Sequence, residues 1–169
     1  PLELLSTVLP LTYAYDALDR AATEADLVVL FPADAQIYAA QVHAHYRGYA
    51  SKLTAIYPDG KEEILLNMPH YDFNWQRDYI FKDLIDLPAG TKLVADYWYD
   101  NSKNNKALYG DNTKAMTNPE QKIFWGDQSF QEMLFTAIQF RWKDETAAKP
   151  RDDLQAALRQ PQAPRRVAE

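Results

Sequence analysis

Apolar and polar residues alternate with a period of two through most of the middle of the chain, the mark of strands with one buried face. Residues 27–31 form a short apolar run closed by Pro32-Ala33-Asp34, and residues 36–47 form a longer extended segment. Residues 53–57 lead into Pro58-Asp59-Gly60, a strong turn signal, and residues 63–68 follow, which predicts a hairpin. Segments 71–76 and 78–82 read as extended pieces, Leu87-Pro88-Ala89-Gly90-Thr91 as a turn, and 92–99 as a well-alternating strand. A polar stretch rich in Asn, Lys and Asp runs from residue 100 to about 119, long enough to be functional or mobile. Residues 130–142 close the apolar pattern.

The two ends read differently. In residues 1–22, Leu4, Leu5, Val8 and Leu9 cluster, Pro10 interrupts, and residues 13–20 suit a short amphipathic helix. After Lys143 the composition turns to Ala, Arg, Gln, Asp and Pro, with room for a short helix around 152–159 and disorder beyond it. The expected organisation is a leader of uncertain origin over 1–25, one domain over 26–143 and a tail over 144–169. Short strands, turn signals between them and no long helix in the middle predict an all-β domain, an antiparallel β-sandwich.

Composition narrows the function classes. The 169 residues suffice for one domain with a real core, and aromatic residues, 11 of them tyrosine and four tryptophan, suit a β-rich fold. A net charge of −6 argues against nucleic acid as a partner. With no cysteine, disulfides, thiolate metal sites and thiol nucleophiles are excluded, so any metal must use His, Met or carboxylate ligands. No run of about 18 apolar residues exists, so no membrane-spanning helix is expected in this chain. A start at Pro1 suggests a mature form or part of a longer protein.

Candidate chemistry centres on Gln41-Val42-His43-Ala44-His45-Tyr46-Arg47-Gly48, which holds two of the three histidines. In a strand the side chains at i and i+2 share a face, so both imidazoles project together. Such a pair suits zinc, copper, iron or nickel equally. It also suits two ordinary hydrogen-bonding histidines. His70 is one possible third ligand and would make a three-histidine site of the zinc type. Met133 is the other, and its thioether would select copper. Asp100, Asn101, Ser102, Asn104, Asn105 and Asp111 offer oxygen ligands without the spacing of a calcium loop. There is no Gly-rich phosphate loop and no nucleophile elbow.

Six motifs in order carry a resemblance: His43-Ala44-His45-Tyr46-Arg47-Gly48, Tyr57-Pro58-Asp59-Gly60, Tyr71-Asp72-Phe73-Asn74-Trp75-Gln76, Leu87-Pro88-Ala89-Gly90-Thr91, Tyr99-Asp100-Asn101-Ser102, and Trp125-Gly126-Asp127-Gln128 with Glu132-Met133. Over residues 26–142 the chain resembles the C-terminal domain of the copper type II, ascorbate-dependent monooxygenases. These include the peptidylglycine α-hydroxylating and dopamine β-monooxygenases, and the likeness is to their bacterial multidomain branch. The resemblance implies a jelly-roll sandwich holding one copper through His43, His45 and Met133. That copper would activate O₂ for C–H hydroxylation of an unidentified small-molecule or peptide substrate. Electrons would come from a donor domain or protein, such as ascorbate, a haem-c module or a second copper domain. It also implies a periplasmic or extracytoplasmic location. The family's substrate-carboxylate clamp falls on Gln41, Phe135 and Ala137, none of which can form it, so amidation of a C-terminal glycine is not expected. A non-catalytic copper-binding or interaction module is the alternative.

Overall fold

The computed structural model describes residues 6–8, 24–100, 105 and 126–146. Their strands are β1 (Ser6–Val8), β2 (Glu24–Leu30), β3 (Ala35–Ala44), β4 (Gly48–Ile56), β5 (Glu62–Met68), β6 (Asp78–Leu87), β7 (Lys92–Tyr99) and β8 (Leu134–Trp142). They form two antiparallel four-stranded sheets, ordered β1-β8-β3-β6 and β2-β7-β4-β5. This strand order is that of a jelly roll, the architecture expected from the sequence. The boundary drawn between residues 25 and 26 falls inside β2, and β1 lies against β8 at Ala137–Gln139. The helices expected at 13–20 and 152–159 and most of the 100–119 loop lie outside the described residues.

The core forms where the alternating apolar faces of the two sheets meet. β3 contributes Ile37, Ala40, Val42 and Ala44, and β8 contributes Leu134, Ile138, Phe140 and Trp142. From the other sheet come Leu53, Ala55, Leu93, Ala95, Tyr97 and Tyr99. Each large side chain of this set contributes roughly 1.5–3 kcal/mol by leaving water. Phe31, Phe140 and Trp142 pack edge-on or tilted, with ring centroids 5.0–5.7 Å apart. A bulge between Ile37 and Ala39 shifts the alternation of β3 by one residue. Ala40, Val42 and Ala44 therefore face the core, while Gln41 and His43 face outward.

The predicted hairpin is β4–β5. Gly60 closes its turn by donating to the Tyr57 carbonyl at 2.9 Å and adopts φ 85°, a conformation glycine takes without strain. Segment 71–76, expected to be extended, instead turns: Trp75 N–H donates to the Asp72 carbonyl at 2.9 Å, and the Asp72 carboxylate accepts from Asn74 N–H at 2.8 Å. An Asp two residues before an Asn makes this local bond more favourable than pairing in a ladder. The result is a strap between β5 and β6.

Candidate metal centre

Three connections meet at one end of the sandwich. They are the β3–β4 turn, the β5–β6 strap and the segment entering β8. His43 lies on the last turn-ward residues of β3, and His45 follows at the corner where the chain crosses to the other sheet. Gly48 N–H donates to the His45 carbonyl at 2.9 Å, closing that corner. A Cβ on Gly48 would collide with the Cβ of Ala44, so only glycine fits there.

The corner is held on several sides. Arg47 is buried, and its Nε donates to the Phe130 carbonyl at 2.7 Å. Tyr46 N–H donates to the Ser129 carbonyl at 3.1 Å. Buried Asn105 donates from Nδ2 to the carbonyls of Tyr46 at 2.9 Å and Asp100 at 2.8 Å. Tyr71 takes the place of a ladder partner for Ala44, beyond the last β3–β6 pair. Its hydroxyl accepts from Ala44 N–H at 3.0 Å and donates to the Ala44 carbonyl at 2.6 Å. Behind the same strand, the Tyr97 hydroxyl donates to the Phe135 carbonyl at 2.6 Å.

The two histidine rings lie with centroids 5.2 Å apart at an interplanar angle of 82°. An imidazole nitrogen sits about 2 Å from a first-row metal, and the ring centre about 1 Å farther. Two imidazoles sharing one ion at a roughly tetrahedral angle thus have centroids about 5 Å apart. The observed separation fits. Phe73 packs on both rings, at 6.5 Å from His43 and 6.2 Å from His45, and Phe135 lies 6.4 Å from His43. Apolar walls of this kind restrict water around the pair.

Each ring has its Nδ1 occupied. Gln76 Nε2 donates to the Phe73 carbonyl at 2.7 Å, which turns its Oε1 toward His43 Nδ1 at 2.5 Å. An amide oxygen only accepts, so His43 Nδ1 carries the proton. His45 Nδ1 lies 3.2 Å from the Gln131 carbonyl oxygen, and the same reasoning applies. A neutral imidazole whose Nδ1 proton sits on an acceptor offers Nε2 as its ligating nitrogen, the arrangement that metal-ligating histidines use. Burial and the neighbouring His43 lower the His45 pKa from its ordinary 6.5, which favours the neutral ring.

Met133 comes to the pair through strand pairing. β3 and β8 align His43 with Phe135 and Ala44 with Leu134, and His45 N–H then donates to the Met133 carbonyl at 3.3 Å. The backbones of His45 and Met133 are thus opposed just beyond the last ladder pair. The segment before it is shaped by Gln131, whose Oε1 accepts from Gln128 N–H at 3.0 Å. A Cβ on Gly126 would occupy the place of that amide.

His70 is exposed at the start of the strap. Among the described residues no three or more His, Asp and Glu side chains gather as a metal site, so the three-histidine arrangement does not form. Of the oxygen-rich stretch, Asn105 is committed to backbone carbonyls, and residues 101–104 and 111 lie outside the described residues. Gln76, Gln131, Phe73 and Tyr71 were not singled out from the sequence. Tyr71, Phe73 and Gln76 lie inside one of the six motifs, whereas Gln131 lies in none and meets His45 through its backbone carbonyl, which no side-chain pattern reports.

Comparison with known families gives a match over residues 12–118 to the copper type II ascorbate-dependent monooxygenase C-terminal domain. The chain belongs to this family. The matched span holds His43, His45, Phe73 and Gln76 and ends before Met133. No curated protein matches the chain.

Proposed function

We propose that His43, His45 and Met133 hold one copper ion, and that the domain serves C–H hydroxylation with electrons from another domain or partner. The single observation that carries this reading is the pair of anchored rings: both Nδ1 atoms face acceptors, the ring centroids lie 5.2 Å apart, and the His45 amide bonds the Met133 carbonyl. Two imidazoles and a thioether suit copper, because the soft sulfur favours the reduced ion and the nitrogens suit both oxidation states. Three protein ligands leave a coordination position open, as a reacting metal needs. Bound there, copper would supply O₂ activation.

The chain's own residues would set the geometry and the surroundings. Gln76 and Gln131 hold the rings, Phe73 and Phe135 limit water, and the Gly48 corner fixes the strand end. Along the same face Gln41 pairs with Ala137, and His43 with Phe135, so this floor carries no cation for a substrate carboxylate.

Copper titration of the wild type against His43→Ala and Met133→Ala tests the ligand set. Both variants should lose most of their affinity; unchanged stoichiometry and affinity in both would overturn the reading. The second reading is a copper-binding or interaction module without turnover. Substrate-dependent O₂ consumption by copper-loaded protein with ascorbate supports the first and its absence the second.

A further inference from the structure

We infer that Trp75 and Arg77 form a shelf on the strap that binds a small planar monoanion, an enediolate or a carboxylate, at the rim of the proposed copper site. For its role the inference rests on the copper reading; the binding itself needs no metal. Three residues of the strap are decisive. Gln76 reaches inward to His43, while Trp75 and Arg77 on either side of it stand exposed, Trp75 with 57% of its surface in solvent. The Arg77 guanidinium carbon lies 3.9 Å from the centre of the Trp75 ring system, over its face. Packed over the ring, the guanidinium is restrained by the cation–π contact while Arg77 stays exposed.

What sets this pair apart is what Arg77 lacks. Among the described residues two other cations cover aromatic rings, and each is neutralised: Lys52 over Trp98 pairs with Asp96 at 3.1 Å, and Lys61 over Tyr57 pairs with Glu63 at 3.4 Å. Of the three described arginines, Arg47 donates to the Phe130 carbonyl and Arg141 to Gln36 at 2.6 and 3.0 Å. Arg77 has no carboxylate or carbonyl partner among the described residues. In a chain with 24 acidic and 18 basic residues, an ordered and unpaired guanidinium is a vacant recognition fork. Its geometry matches two coplanar oxygens, and the indole beside it adds an apolar platform for a ring. The neutral floor of Gln41, Phe135 and Ala137 leaves this arginine as the cation on the segment that covers the histidines.

The test uses full-length, metal-free, ¹⁵N-labelled protein and follows the indole N–H resonance of Trp75. Sodium ascorbate (kept anaerobic), sodium benzoate and sodium acetate are titrated at constant ionic strength. A saturable shift with ascorbate or benzoate is expected, and a weaker one with acetate, which brings the oxygens without a ring. Arg77→Gln should abolish it, and Arg77→Lys should weaken it by about tenfold, because a point charge replaces a fork. Tighter binding of ascorbate identifies the shelf with the reductant, and tighter binding of benzoate with a carboxylate-bearing substrate. A shift that does not saturate, or one that Arg77→Gln leaves intact, overturns the proposal. Because no metal is present, that failure leaves the copper reading standing, and loss of copper binding chemistry would leave the shelf standing.

Discussion

His45 and Met133, 88 positions apart in the chain, are joined by a backbone hydrogen bond of 3.3 Å from the amide of the one to the carbonyl of the other. They are neighbours because β3 and β8 pair in the centre of one sheet, in a register set by the core residues Val42, Ala44, Leu134 and Thr136. A one-residue slip would turn Met133 to the opposite face and break the apolar alternation at once. The candidate site is therefore a consequence of core packing.

Replacing Gln76 by Leu removes the acceptor of the His43 Nδ1 proton while keeping the bulk of the side chain. Copper affinity should fall by roughly 10–100-fold, the usual cost of losing the group that orients a ligating histidine. Thermal stability should change little, and Gln76→Glu should retain more affinity than Gln76→Leu. Competition with a calibrated copper chelator reads all three.

His70→Ala should leave copper stoichiometry and affinity unchanged, since His70 is exposed and belongs to no cluster of ligands. Loss of one metal equivalent in that variant would revive a three-histidine centre.

At the corner, Gly48→Ala puts a methyl group against the Ala44 Cβ. Overpacking of this kind costs about 1–3 kcal/mol. Because Ala44 lies between the two histidines, the variant should lose both melting temperature and copper affinity. Gly60→Ala, at a site with open space but positive φ, should lose stability alone.

Tyr97→Phe deletes a buried hydroxyl that bonds the Phe135 carbonyl and the Thr136 hydroxyl across the sandwich. Leaving those acceptors dry should cost about 1–3 kcal/mol, read by urea unfolding. Burial raises the Tyr97 pKa, so the phenol stays neutral over the range in which the fold is stable.

The pH dependence follows from His45, whose folded pKa is lowered from 6.5 chiefly by burial. Its contribution to stability is complete above the unfolded value and is lost as pH falls through the folded one. The metal-free protein should thus lose melting temperature on acidification below about 6.5, and His45→Gln should flatten that part of the profile. Copper binding should weaken over the same interval, because only the neutral ring is a ligand.

Much of this was legible in the residues themselves. Period-two alternation announced the strands, Pro58-Asp59-Gly60 announced the β4–β5 turn, and the i, i+2 spacing of His43 and His45 placed both rings on one face. These are local properties, decided by backbone geometry over a few residues. The strap was misread as extended because Asp72 and Asn74 form their own turn, a side-chain bond that periodicity does not register.

By itself, then, the sequence determined an all-β sandwich and a projecting histidine pair, because both follow from short-range alternation. The resemblance named Met133 as a partner, but the local pattern did not decide which residues meet that pair; tertiary structure did. It set Met133 beside His45 through strand register, turned the acceptors of Gln76 and Gln131 to the two Nδ1 atoms, and left His70 outside. Contacts between residues 33 to 88 positions apart depend on how two sheets close on a common core, and no local pattern encodes that closure.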